Sequence, residues 1–303
     1  IYPATMHQTM LFFTRKGRCY WLKCYEIPEG DKNFKGRAIQ NLLNIEPDDS
    51  VNAMLRLRGL NDEEFVNSHY VVFATKNGTI KKTCLEAYSR PRTNGVNAIN
   101  IVEGDEVVDV RLTNGKNEII LANRNGRAVR FDENTVRSMG RVSTGVRGMQ
   151  LDGDDDQVVG MIIVNNAETE TVMVVSENGY GKRSQVEDYR KTNRGGKGVK
   201  TFSITEKTGR LVAIKNVTDD NDLMIINKSG IAIRLAVSDC RVMGRATQGV
   251  RLINLSKKND VIASVCKVMS SELEAKLADD NASTESEATE ATEANEAKPE
   301  NEK

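Results

Sequence analysis

Apolar positions in this chain come in short paired runs. Five segments show the pattern: "LFFTRKGRCYWLK" (11–23), "VVFATKNGTIKKT" (71–83), "IILANRNGRAVRF" (119–131), "VMVVSENGYGKRS" (172–184) and "LMIINKSGIAIRL" (223–235). Each opens on an apolar run, passes through polar residues closed by a glycine, and continues as a second run that carries cations. A tight turn between two strands needs positive φ, which glycine adopts without penalty, so the pattern predicts five β-hairpins. The turn glycines are Gly17, Gly78, Gly126, Gly179 and Gly230.

A second glycine follows each hairpin: Gly36, Gly95, Gly145, Gly198 and Gly249, at offsets of 19, 17, 19, 19 and 19 residues. After it comes an alternating stretch that reads as a strand ("GRAIQNLL", "GVNAINIV", "GVRGMQL", "GVKTFSI", "GVRLINL"), then an acidic turn ("EPDDS", "EGDE", "DGDDD"), then a further apolar strand such as "VVDVRL" or "VVGMII". Turn glycines recur at intervals of 61, 48, 53 and 51 residues, and the polar linker "GLNDEEFVNS" (59–68) accounts for the long first one. Four short strands per unit, repeated in tandem, predict an all-β fold: a propeller-like array of four-stranded blades. The repeats read as 7–58, 68–113, 117–164, 171–217 and 222–268 within one domain spanning 1–268. A sandwich with generic hairpin turns would share the glycines but has no reason to match both offsets. Gly36, Gly145 and Gly249 are expected at positions of positive φ or close strand approach, so that valine there damages folding.

Charge changes this picture next. The chain of 303 residues is formally neutral, with 43 basic and 43 acidic side chains. Residues 271–303 contain 11 acidic and 3 basic side chains, which leaves 40 basic and 32 acidic in 1–270, a net +8. The segment from 269 onward, ending "STESEATEATEANEAKPENEK", lacks the large apolar residues that could offset the entropy of ordering, so an acidic disordered tail is expected. No apolar run is long enough for a membrane helix, and no signal peptide is visible. The five cysteines, Cys19, Cys24, Cys84, Cys240 and Cys266, form no CxxC pair, and only His7 and His69 could join them as metal ligands. Reduced structural thiols in a cytoplasmic protein are expected, with no metal site.

The cations recur with the repeat. Lys35 and Arg37, Arg92, Arg141 and Arg147, Arg194 with Lys197 and Lys200, and Arg245 and Arg251 flank the second glycines. Blades standing side by side would align these loops along one rim, an electrostatic track for a polyanion. The stretch "TNRGGKGVK" is the densest of them; Gly195, Gly196 and Gly198 could let backbone N–H groups approach a phosphate. The second hairpin strand carries more cations, which could widen the track: Arg18, Lys23, Lys81, Lys82, Arg127, Arg130, Lys182, Arg183 and Arg234. Against this, cations on exposed loops often do no more than solvate a surface. Asp154, Asp155 and Asp156 occupy the acidic turn of a repeat and read as a solvated loop, and no catalytic residues are identified.

"LFFTRKGRCYWLKCYEIPE", "KGRAIQNLLNIEPDD", "FATKNGTIKKT", "VRFDENTVRSMGRVSTGVRGMQL", "NGYGKRS" and "GRATQGVRLI" together resemble the C-terminal domains of bacterial DNA gyrase A proteins, over about residues 1–268. The resemblance implies a β-pinwheel of six blades that exchange strands, five being visible here, and a rim that binds and wraps duplex DNA. An acidic tail is also common in that family. The family's Q-R-R-G-G-K/R-G box belongs to the first blade. Here Arg194–Gly198 matches its last five positions, Thr192 and Asn193 replace the first two, and the stretch lies in the fourth visible repeat. It therefore reads as a related blade loop, and the chain, which opens at Ile1, as a fragment lacking most of the first blade. The implied parent is an ATP-hydrolysing type II topoisomerase that introduces negative supercoils, with ATP and magnesium bound outside this segment. The implied partners are duplex DNA, the rest of the dimeric gyrase A protein and the gyrase B protein in an A2B2 heterotetramer, at the bacterial nucleoid. Two other readings stay open: the homologous domain of topoisomerase IV, and a propeller serving as a protein-interaction platform or hydrolase.

Overall fold

The computed structural model describes residues 4–31, 34–255 and 260–270. The first repeat supplies β1 (Thr9–Thr14), β2 (Arg18–Lys23) and β3 (Val51–Leu57), followed by a short helix α1 (Glu63–Ser68). The second supplies β4 (Tyr70–Thr75), β5 (Thr79–Cys84), β6 (Val96–Asn97) and β7 (Val107–Thr113). The third supplies β8 (Glu118–Asn123), β9 (Arg127–Asp132), β10 (Val146–Arg147) and β11 (Val158–Val164). The fourth supplies β12 (Thr171–Ser176), β13 (Tyr180–Gln185), β14 (Val199–Lys200) and β15 (Leu211–Val217). The fifth supplies β16 (Asn221–Asn227), β17 (Ala232–Ala236), β18 (Val250–Arg251) and β19 (Ile262–Met269).

Five antiparallel sheets result, and the chain is the all-β, propeller-like array that the repeat predicts. The hairpin forms the middle of each of the first four sheets. Its own repeat adds a third strand on one edge, while the other edge is closed by the two-residue strand of the next repeat, as in the orders β3-β1-β2-β6 and β15-β12-β13-β18. The fifth sheet, β17-β16-β19, has three strands among the described residues. The alternating stretch after the second glycine is thus mostly not a strand. It contributes two residues to the preceding blade, and in the first repeat it forms a turn of 3-10 helix at Ile39–Asn41 instead. The linker 59–68 also differs from expectation: its last six residues form α1, whose N-cap Asp62 accepts from the Phe65 N–H at 3.0 Å.

Successive blades stack, so the second, third and fourth sheets are covered on both faces. Val71 and Phe73 of β4 enter the core shared with the first blade, whereas Val72 and Ala74 enter the core shared with the third. β8 and β12 divide their side chains between two cores in the same way. Period-2 alternation in these strands therefore sorts residues between two buried faces rather than between core and water. Phe13 and Phe73 meet edge-to-face across the first seam, with centroids 5.3 Å apart.

A glycine clasp locks each seam from both sides. A Cβ on the turn glycines Gly17, Gly78, Gly126 and Gly179 would lie 2.6–2.7 Å from the carbonyls of Ile99, Met149, Phe202 and Ile253 in the next repeat. In return, the second glycines Gly95, Gly145, Gly198 and Gly249 sit against the carbonyls of Cys19, Ile80, Ala128 and Gly181, with Gly198 the tightest. Paired N–H groups bind each turn carbonyl, as Thr201 and Phe202 bind the Gly126 oxygen at 2.8 and 3.2 Å. Gly36 is different: its φ is +72°, yet nothing lies within 4 Å of the place its Cβ would take. Gly198→Val is therefore expected to cost about 3 kcal/mol or more, from left-handed backbone strain plus collision, and Gly36→Val only about 1–2 kcal/mol, from backbone strain alone. Denaturant melts of the two variants check this; equal losses would remove the clasp as the reason for the glycines.

Candidate nucleic-acid interface

The third strands β3, β7, β11, β15 and β19 contact one another from blade to blade, so they form the inner edge of the stack. The exchanged strands close the opposite edge. Each is reached through a loop that leaves the end of the hairpin, crosses the seam and arrives at the second glycine. These loops carry the cations picked out from the repeat.

Two arginines show how a loop is built. Arg194 donates from Nε to the Thr135 carbonyl and from Nη1 to the Arg147 carbonyl, both at 2.9 Å. One blade further on, Arg245 donates from Nε to Asp188 O at 2.9 Å and from Nη1 to Lys200 O at 2.7 Å. Each guanidinium spans a seam and is fixed by peptide carbonyls. A carbonyl orients the group without cancelling its charge, as a carboxylate would. Arg147 and Lys200 are the second residues of β10 and β14 and are exposed. Arg147 beside Arg194 and Lys200 beside Arg245 form consecutive rungs of one cationic edge. Arg251 holds the equivalent place on β18, donating from Nε and Nη2 to the Tyr180 hydroxyl at 3.1 and 2.9 Å.

Cations of the hairpin turns and acidic turns are treated differently. Arg15 and Lys76 pair with Glu106 at 3.7 and 3.9 Å, Arg124 with Glu177 at 4.0 Å, Arg210 with Asp155 at 2.9 Å, and Lys16 with Asp48. The acidic turns also secure the hairpins: Asp105 and Asp156 accept backbone N–H bonds from Asn77 and Asn125. Asp156 is 5% exposed and accepts from Asn123 Nδ2 at 2.6 Å, so this member of the aspartate triplet is a buried turn clamp and not a solvated residue. Among the described residues no His, Cys, Asp or Glu cluster of three suits a metal ion, and no disulfide joins the five cysteines.

The expected site residues divide into three groups. Arg92, Arg147, Lys197, Lys200 and Arg251 are exposed on the outer loops, with Arg141, Arg194 and Arg245 half-buried beside them. Lys35 and Arg37 are exposed but belong to the first repeat, whose loop crosses no seam here. Lys197 and Arg127 share Asp152, at 2.7 and 3.6 Å, and the Lys197 hydrogen bond holds that carboxyl below its usual range.

The third group must be withdrawn from the surface. Lys81, Lys82, Lys182 and Arg183 are 0, 4, 1 and 8% exposed. Lys82 pairs with the buried Glu133 at 3.0 Å, and Arg183 binds the Cys240 carbonyl and Asp219. Arg130 spends its guanidinium on Glu118 and on the Val186 and Tyr189 carbonyls. In β5 and β13 the second hairpin strand is buried on both faces, so its cations bind seams together. The glycine cradle also needs correction: the Gly195 N–H is committed to Gly148 O at 2.7 Å, and Gly196 O accepts from Gln150. "RGGKG" docks one blade on the next and leaves its side chains, not the Gly195 amide, to face outward.

Arg137, Arg190 and Arg241 were not singled out by the glycine spacing and are exposed at the start of the same loops. Each precedes its second glycine by eight residues, a recurrence that would have identified them.

A family model described as the DNA gyrase C-terminal domain, beta-propeller, matches residues 8–58, 69–114, 117–165, 170–218 and 221–266. The chain belongs to the DNA gyrase C-terminal domain family. Among its relatives, the DNA gyrase A protein of Staphylococcus aureus (strain MRSA252) is 44% identical over 262 residues, which is 86% of this chain and 29% of the relative; the protein of strain NCTC 8325 matches equally. The chain thus spans under a third of the length of these curated relatives. It is similar in structure to the C-terminal domain of DNA topoisomerase IV, with TM-score 0.76 and 27% identity over 87% of this chain and 80% of that one. A DNA gyrase A C-terminal domain shares the fold at TM-score 0.75 and 24% identity, covering 88% and 84%. The gyrase-family domain is therefore homologous to part of a type II topoisomerase subunit. Among its described residues no helix is long and apolar enough to cross a membrane.

Proposed function

We propose that the outer loops of this gyrase-family domain bind duplex DNA and bend it along the stacked blades, so that a parent gyrase can introduce negative supercoils. The observation that carries this reading is the row of cations on the outer loops: Arg194 and Arg245, held across the seams by carbonyls and so still charged, each beside an exposed cation, Arg147 and Lys200. Bending a 20–30 bp segment by 40–90° costs on the order of 1–6 kcal/mol, which many phosphate contacts spread over several blades can offset better than one pocket. Binding of this kind is independent of sequence.

In this reading the chemistry lies elsewhere in the parent: ATP hydrolysis, magnesium and DNA cleavage belong to the rest of the gyrase A protein and to the gyrase B protein, in an A2B2 assembly in the bacterial cytoplasm. The structural likeness to a topoisomerase IV domain supports a second reading, in which the same surface binds DNA for decatenation. The deciding experiment treats relaxed closed circles with a nicking-closing enzyme in the presence of the domain. Wrapping leaves a shift in linking number that grows with protein; binding without any shift favours the topoisomerase IV reading, and no binding removes both.

The acidic segment expected from 269 onward lies, from 271, outside the described residues. Tethered beside a basic rim, 11 acidic side chains compete with phosphate for the same cations. Removing 271–303 is expected to tighten DNA binding most at low salt, where screening is weakest. Equal affinities of full and truncated chains at low salt would dispose of the competition.

A further inference from the structure

Two of the cations withdrawn from the surface lie directly under the outer loops. Lys81 occupies the third position of β5 and donates from Nζ to Ala98 O and to Arg141 O, each at 2.5 Å. Lys182 occupies the same position of β13 and donates to Gly244 O at 2.6 Å, beside Ser184 Oγ at 3.4 Å. Arg141 and Gly244 belong to the outer loops of the third and fifth repeats, and Gly244 immediately precedes Arg245. Both lysines lie three residues after the turn glycine, where the other repeats carry Tyr20, Val129 and Ile233, so the lysines mark two particular seams.

Among the described residues Lys81 has no ion-pair partner, so no carboxylate holds its proton. Its Nζ lies 5.4 Å from the centroid of the Phe73 ring, shares the Ala98 carbonyl with the Tyr88 hydroxyl, and has the positive charge of Arg141 nearby. Burial first, and Arg141 second, bring its pKa down to about 7. Burial also lowers Lys182, to about 8, with Asp188 opposing and Arg245 adding to the fall. An ammonium has three N–H donors and a neutral amine two. Lys81 makes two bonds, so losing its proton removes charge without breaking either one.

We infer that Lys81 and Lys182 are proton-controlled charges beneath the DNA-binding loops, so that duplex affinity falls with rising pH while the fold itself becomes more stable. The inference rests on the DNA-binding reading above. The two trends have opposite signs for a clear reason. Bound phosphates favour the charged lysines, so DNA binding takes up protons and weakens as the lysines discharge. The unfolded chain has ordinary lysines that stay charged until about pH 10.5. Between the folded values and that limit unfolding takes up protons, so stability rises with pH; below about 7 both states are charged and this contribution is flat.

The test measures duplex affinity by fluorescence anisotropy from pH 6 to 9 at constant ionic strength, with thermal melts alongside, for the wild type and for K81M/K182M. Wild-type affinity is expected to fall about three- to tenfold over that range, the scale of losing two screened charges near phosphate. The double variant is expected to show a flat profile and a smaller gain in melting temperature with pH. Identical affinity profiles for both proteins overturn the inference and leave the DNA-binding reading intact, whereas no binding by the wild type at pH 6 overturns that reading itself. Calorimetry on the wild type at pH 7.5, in two buffers of different ionisation enthalpy, keeps the test open if the double variant does not fold. Net proton uptake on binding supports the inference, and its absence overturns it.

Discussion

Raising the salt from 50 to 200 mM is expected to weaken duplex binding by this domain about 10³–10⁵-fold, the fall that follows when roughly 6–10 phosphates are neutralised and their counterions released. Enough cations are in place for the lower end of that range: Arg141, Arg147, Arg194, Lys200, Arg245 and Arg251 lie on consecutive outer loops, with Arg137, Arg190 and Arg241 at the start of the same loops. Each cation in contact adds about 0.9 to the slope of log affinity against log salt. Replacing Arg147, Arg194, Lys200 and Arg245 together by glutamine should therefore lower the slope by about 3–4. A control that replaces Lys76, Arg124 and Arg210, all paired with carboxylates, should leave it nearly unchanged. Titrations at four salt concentrations decide the matter. A flat wild-type response, or equal slopes for both variants, removes the electrostatic track.

Glu133→Ala is expected to destabilise the fold by about 3–5 kcal/mol, because it strands a buried ammonium. Glu133 is 0% exposed, with Oε2 3.0 Å from Lys82 Nζ, and it also accepts from the Thr113 hydroxyl at 2.8 Å and the Asn117 N–H at 2.7 Å. Lys82 also lies 4.4 Å from the centroid of the Tyr70 ring. The pair crosses from the second blade to the third, and its loss should open that seam first. Substituting Lys82→Met alongside should recover much of the loss, since removing both charges leaves no unpaired one. Urea melts of the single and double variants measure the coupling; additive losses would show that the pair is not the seam's fastener.

Local pattern was enough to determine the hairpins, their turn glycines, the regular recurrence of a second glycine and hence the blade count in this chain. These features depend on neighbouring residues: a turn such as Asn77–Gly78 needs positive φ at the glycine, whose value is +85°. The exposed cations Arg147, Lys200 and Arg251 were legible for the same reason, since each follows its glycine by two residues. Strand exchange was not legible from the residues alone. β14 offers two residues to β9, pairing Lys200 with Arg127 across 73 positions, and so short a partner leaves no periodic trace.

Which cations reach the surface was likewise settled only by tertiary structure. Lys81 and Lys82 are adjacent on one strand and so point to opposite faces, and an alternating rule would expose one of them. Both are buried, because the first blade covers one face of the sheet and the third blade covers the other. The sequence by itself determined where charge recurs; the stacking of blades decided which charges meet solvent and which hold the seams, since burial depends on what packs against a strand as well as on the strand.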